Sequence, residues 1–85
     1  QISNFKFQIF PNPVRDIAIF RITSAQENIT SFVVVVFDAM GREVKNVTAT
    51  NKLIEINCND LERGMYFYKI TVNNEMIRTG KMGVD

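Results

Sequence analysis

Leu61-Glu62-Arg63-Gly64-Met65-Tyr66 is the stretch of this 85-residue chain that decides its fold. A leucine, a glycine and then a tyrosine at the entrance to a strand resembles a tyrosine corner. In that device of Greek-key sandwiches the phenol bonds back to backbone a few residues upstream. The residues that follow, Tyr66-Phe67-Tyr68-Lys69-Ile70, alternate with period two, so Tyr66 and Tyr68 share one face of the strand as core aromatics. Tyr66 is therefore expected to be buried, with its hydroxyl on backbone near Asp60 to Glu62.

Outward from this corner the chain reads as short strands parted by turns. Phe5-Lys6-Phe7-Gln8-Ile9 alternates apolar and polar, and Phe10-Pro11-Asn12-Pro13 stops it. Each proline fixes φ near about −65° and removes a ladder donor, so the chain leaves the sheet in an extended kink. Ile17 to Ile22 alternates again, with Ile17 and Ile19 opposing Ala18, Phe20 and Ile22; Ser24 to Asn28 is a polar loop. Phe32-Val33-Val34-Val35-Val36-Phe37 is apolar on both faces, the mark of a central strand with one side against the opposing sheet. Its other side needs cover from long neighbouring side chains or from a partner. Asp38-Ala39-Met40-Gly41 forms a hairpin connection, with Gly41 available for positive φ. Strands follow at 43–48, 52–58, 65–72 and 75–82. Asn73-Asn74 joins the last two in a tight primed turn, because asparagine tolerates left-handed φ. This spacing of turns predicts an all-β fold, an immunoglobulin-like antiparallel β-sandwich of about seven strands with no helix beyond about two turns.

Composition narrows the function. A chain of this length makes one domain, residues 1–85, since it buries only about 60–65% of its unfolded surface around a single core. The formal charge of +1 and the singly scattered lysines and arginines lack the clustered basic face that nucleic acid requires, so no nucleic-acid partner is expected. No apolar run approaches the roughly 20 residues that span a bilayer. No basic-then-apolar leader opens the chain, and its start at Gln1-Ile2-Ser3 suits a domain excised from a longer polypeptide. Histidine is absent, which removes the commonest general base and metal ligand and leaves Ser3, Ser24 and Ser31 without a base. Asp16, Asp38, Asp60, Glu43, Glu55 and Glu62 fall at turns or on polar strand faces, with no spacing that sets two carboxyls across a substrate. No catalytic residue, cofactor or metal is expected. Cys58 stands alone, so no internal disulfide forms, and its alternation with Ile54 and Ile56 predicts buried packing. Gly41-Arg42 lacks the helix start of a phosphate loop, and Arg42 and Glu43 read as a mutual pair or as solvated charges. Asn28-Ile29-Thr30 and Asn46-Val47-Thr48 match the glycosylation pattern by chance.

Three segments in order carry a family resemblance: Phe-Gln-Ile-Phe-Pro-Asn-Pro-Val at 7–14, Val-Phe-Asp-Ala-Met-Gly-Arg-Glu-Val at 36–44, and Asp-Leu-Glu-Arg-Gly-Met-Tyr-Phe-Tyr-Lys-Ile at 60–70. The set resembles the type A C-terminal sorting domain of proteins exported by the type IX (Por) secretion system of Gram-negative bacteria, and it covers nearly the whole chain. Gly80-Lys81-Met82 fits the usual ending, whereas Gly83-Val84-Asp85 is less apolar than that ending and finishes acidic. The resemblance implies an immunoglobulin-like domain at the C-terminus of a secreted cargo protein. It implies as partners an upstream cargo domain, the type IX translocon with its shuttle, and a sorting peptidase. That peptidase cleaves the domain off and attaches the cargo to a surface lipopolysaccharide or releases it. Localisation is then periplasmic in transit, followed by the cell surface or the medium. The motif residues to which recognition is assigned are Pro11, Asn12, Pro13, Gly41, Arg42, Glu43, Leu61, Gly64, Tyr66, Gly80 and Lys81.

The competing class is an accessory adhesive or carbohydrate-binding sandwich. Sugar-binding faces usually carry exposed aromatics; tryptophan is absent here, and the phenylalanines fall mostly at alternating core positions. The second apolar face of Phe32–Phe37 carries one further expectation, a patch for weak self-association or contact with the cargo domain.

Overall fold

Period-two alternation along the chain becomes seven strands: β1 (Lys6–Phe10), β2 (Ile17–Ser24), β3 (Phe32–Phe37), β4 (Glu43–Ala49), β5 (Leu53–Asn57), β6 (Gly64–Val72) and β7 (Glu75–Val84). The computed structural model describes residues 5–11, 13–24 and 28–85, with only the backbone of Ser24, and among these residues there is no helix. Asn12 and residues 25–27, most of the expected polar loop, lie outside the described residues. The strands pair antiparallel in two sheets, β1-β2-β5 and β4-β3-β6-β7. β7 runs two residues past its expected end, through Gly83 and Val84.

The apolar set of each strand decides which face turns inward. Ala18, Phe20 and Ile22 of β2 with Ile54 and Ile56 of β5 meet Phe32, Val34 and Val36 of β3 and Tyr66, Tyr68, Ile70 and Val72 of β6. Full burial of Phe20 and Phe32, both 0% exposed, contributes about 2–3 kcal/mol each. Phe20 meets Tyr68 edge-on, with ring centroids 5.4 Å apart. Cys58 packs in the same core, as its alternation predicts.

β3 is central, as its two apolar faces require. Its outer residues Val33, Val35 and Phe37 are flanked by Thr48, Asn46 and Glu43 on β4 and by Thr71, Lys69 and Phe67 on β6. These neighbours bury Val35 but leave Phe67 40% exposed, so the outer face is covered only in part.

Long side chains close the open flanks of the sandwich. Arg78 lies opposite Ile70, an inward position, and its guanidinium caps Phe7 of the facing sheet at 5.4 Å from the ring centroid. On the other flank Lys45 Nζ meets Asp60 Oδ1 at 2.7 Å. The β6–β7 turn places Asn73 and Asn74 at φ 51° and 67°, the primed geometry expected for an Asn-Asn hairpin. Asn73 also pins the connection between β2 and β3. Its Oδ1 accepts from the Thr30 and Ser31 amides at 2.8 and 3.1 Å, and its Nδ2 donates to Asn28 O at 2.8 Å.

The strand order sends the β1–β2, β3–β4 and β5–β6 connections, together with the end of β7, to one pole of a body 36 Å long. The start of β1 and the remaining turns lie at the other. Gly80, opposite Tyr68 on the inner face of β7, is a packing residue: a Cβ there would overlap the phenol ring. Gly80→Ala is expected to lower stability by about 1–3 kcal/mol, the range for forcing extra volume into a packed core. Urea unfolding measures this, and an unchanged midpoint would contradict the packing role.

Candidate functional site

The pole with the three connections is held together from both sheets. After β1 the chain crosses a cis Phe10–Pro11 bond, passes Pro13, and then gives Val14 to the opposite sheet. Val14 is wholly buried and forms a parallel bridge with Val84; its amide donates to Gly83 O at 2.8 Å and its carbonyl accepts from Asp85 N at 2.7 Å. The expected kink is there, but it also docks the first motif on the end of β7. Cys58 N donates to Asp16 O at 2.7 Å, tying the same segment to the β5–β6 connection.

Asp38 organises the β3–β4 turn. Its Oδ1 accepts from the Met40 and Arg42 amides, each at 2.9 Å, and its Oδ2 accepts from Arg42 Nε at 2.9 Å. Arg42 thus takes Asp38 rather than Glu43 as its partner, because the turn brings the guanidinium back over the residue four earlier. Glu43 instead accepts from Asn46 Nδ2 at 3.3 Å. Gly41 takes φ 83°, as the hairpin requires, and Gly64 takes φ 150° where the chain turns into β6. Both conformations favour glycine.

The β5–β6 connection carries the chain from one sheet to the other, and Tyr66 fixes it. The Tyr66 hydroxyl donates to Glu62 O at 2.7 Å, the corner predicted from Leu61, Gly64 and Tyr66. Leu61 N donates to Cys58 O at 3.1 Å, and Leu61 packs against the core from this loop. Between the two connections lies an open groove of about 460 Å³, lined by Asp38, Met40, Arg42, Leu61, Arg63 and Met65 among others. Met40 and Met65 are 80% and 52% exposed, flexible apolar groups suited to adaptive contact. Arg63 and Arg15 flank Asp85, at 3.6 and 3.9 Å.

The electrostatics favour fixed charges over proton transfer. The Arg42 backbone amide, helped by its guanidinium, holds Asp38 below the ordinary 3.8, and Lys45 does the same for Asp60. Burial raises Cys58 and Tyr66 above their ordinary 9.0 and 10.0. None of these four groups therefore changes charge near neutral pH.

The sequence-predicted residues divide into two groups. Pro11, Pro13, Gly41, Arg42, Glu43, Leu61, Gly64 and Tyr66 gather at this pole; Asn12 lies outside the described residues. Gly80 and Lys81 stand further down β7, Gly80 facing inward and Lys81 outward beside Phe67. The sequence reading missed Val14, whose isolated bridge to Val84 has no local pattern, and the methionines of the groove, which look like ordinary turn and strand residues.

A model of the secretion system C-terminal sorting domain matches residues 8–84. The chain belongs to that family. Its members are C-terminal sorting signals of type IX secretion, so the domain is a signal for export to the cell surface or the medium, recognised by secretion machinery. Sorting domains are generally non-catalytic. Among solved structures, dimeric latent PorU from Porphyromonas gingivalis is similar at 26% identity and a TM-score of 0.73 over 99% of this chain. The chain spans 9% of the length of that protein. No curated protein matches.

Two measurements check the pole's construction. Tyr66→Phe, which removes the donor to Glu62 O, is expected to cost about 1–3 kcal/mol in denaturant unfolding; an unchanged midpoint would contradict the corner. Because Asp38 has a lowered folded pKa, its contribution is present above the ordinary 3.8 and is lost as pH falls through the lower folded value. Asp38→Ala is therefore expected to melt below the parent at pH 7, with the gap closing as pH falls below 3.8. A gap independent of pH would show that the carboxylate's charge plays no part.

Proposed function

We propose that residues 1–85 serve a larger secreted protein as a non-catalytic address, read by the type IX translocon and its shuttle as a folded surface. The cargo domain precedes β1 and passes through the periplasm. A sorting peptidase then removes the address as the cargo is attached to the surface or released.

The observation that carries this reading is the convergence of the family's motif segments on one pole. Besides the residues that build its turns, this pole presents exposed side chains, of which Arg42 is fixed by Asp38. Met40, Arg42 and Met65 are held there by the Asp38 turn and the Tyr66 corner. β1 begins at the opposite pole, so a domain placed before it there leaves the motif pole clear. Pro11, Pro13, Gly41, Leu61, Gly64 and Tyr66 build the surface; Arg42 and Glu43 offer charge on it. Gly80 and Lys81 belong to the terminal strand, whose outer edge pairs with no strand among the described residues before the Val14 bridge at its end, leaving that stretch for added backbone pairing.

The test fuses residues 1–85 behind a periplasmically targeted reporter in a host with this secretion system. The intact fusion is expected to reach the surface or medium. A Met40→Asp, Arg42→Glu, Met65→Asp variant, altered only at exposed positions, is expected to stay folded yet lose at least about tenfold in delivery. Equal delivery of a folded variant would remove the pole from the recognition surface. Retention of the intact fusion, while an established sorting domain delivers the same reporter, would overturn the address reading and favour the adhesive or carbohydrate-binding alternative.

A further inference from the structure

The outer face of the four-stranded sheet carries a second surface beside the motif pole, where Phe37 directly precedes Asp38 and Phe67 directly follows Tyr66. Phe37 of β3 and Phe67 of β6 are directly paired across the strands, and Lys81 of β7 is paired with Phe67. Lys69, two residues on from Phe67, therefore shares its face, and its ammonium lies 6.0 Å from the centre of the Phe37 ring. Thr79 sits between the two lysines as the β7 partner of Lys69. Together these residues line an open groove of about 300 Å³ with aromatic rings on its floor.

Charge on this groove is one-sided. Among the described residues neither Lys69 nor Lys81 has a carboxylate partner. The acid on the same face, Glu43, lies across Phe37 on β4 and is engaged by Asn46 Nδ2. Two ammonium groups at diagonal positions on one face repel each other, and an opposite charge between them relieves that repulsion. Phe67, 40% exposed, and the half-buried Phe37 add an apolar contact beside the two lysines.

We infer that this groove binds an extended acidic segment of a partner protein, one that sets an apolar side chain against Phe37 and Phe67 and carboxylates against Lys69 and Lys81. Side chains two apart in an extended segment share a face at roughly 6.5–7 Å, a spacing that brings a carboxylate beside an apolar group in the groove. The inference rests on the address reading: the partner belongs to the export machinery, and the groove is a further contact on the outer sheet face next to the motif pole. Opposite charge chiefly speeds encounter and fixes register, while the rings provide the buried area.

The test uses the same reporter fusion with three paired substitutions: Lys69→Glu with Lys81→Glu, Lys69→Gln with Lys81→Gln, and Lys69→Arg with Lys81→Arg. Thermal unfolding of the purified domains shows that each pair is folded. Delivery is expected to fall at least about tenfold for the glutamate pair, to an intermediate level for the glutamine pair, and to stay within about twofold of the parent for the arginine pair. Delivery of the folded glutamate pair at the parent level overturns the inference while leaving the address reading intact. Failure of the arginine pair alongside the glutamate pair also overturns it, since charge would then not be what is read. Sedimentation that shows the parent to be a dimer, and the glutamate pair a monomer, overturns it in favour of a second copy as the occupant. A parent fusion that is not delivered at all overturns the address reading, and this inference with it.

Discussion

The hydrogen bond from the Tyr66 hydroxyl to Glu62 O governs the part of the structure that matters most. Residues 58–63 must carry the chain out of the three-stranded sheet and into the four-stranded one, a crossing without ladder bonds to hold it. Anchoring the phenol on the backbone of that crossing fixes where β6 begins. β6 pairs with both β3 and β7, so its start sets the register of most of its sheet. The Asp38 turn at the end of β3 and the Val14 bridge at the end of β7 then come into place on either side. A shift of one residue at the corner would turn Tyr66, Tyr68 and Ile70 outward together.

A second constraint links fold to function. A sandwich of two small sheets has open flanks, and this one closes them with side chains from residues that sequence reasoning treats as surface charges. Arg78 over Phe7 and Lys45 on Asp60 keep water from the core, while their charged ends remain at the surface. On the outer sheet face Lys69 covers Val35 and Phe37 with its stem, yet neither its ammonium nor that of Lys81 has a carboxylate partner among the described residues. The same residue types therefore divide by position: inward-pointing ones complete the domain, and outward-pointing ones remain available to a partner.

Much of the fold was legible because alternation and turn chemistry are local. Phe32–Phe37 announced a central strand, Asn73-Asn74 a primed turn, Gly41 a positive φ, and Leu61, Gly64 and Tyr66 a corner. What escaped was non-local. Val14 and Val84 stand far apart in sequence and pair as a single parallel bridge, which no run of residues encodes. The turn pattern speaks only for the backbone of Asn73, yet its side chain holds Asn28, Thr30 and Ser31 across the end of the sandwich. Gly80 looked like a motif letter; its reason is Tyr68 on the neighbouring strand. Of the candidate site, the motif positions were legible and their meeting at one pole was not, because convergence depends on the order in which strands join the two sheets.

Recognition by the export machinery requires that the motif pole be read in its folded form. Amide hydrogen exchange of the reporter fusion, arrested on the export machinery and compared with the free domain, measures this directly. Recognition of the folded pole predicts added protection at 13–16, 38–42, 58–65 and 83–85, with β2, β3 and β6 as slow to exchange as in the free domain. Protection confined to the opposite pole, at 28–31, 50–52 and 73–74, or rapid exchange throughout the core strands, would contradict it.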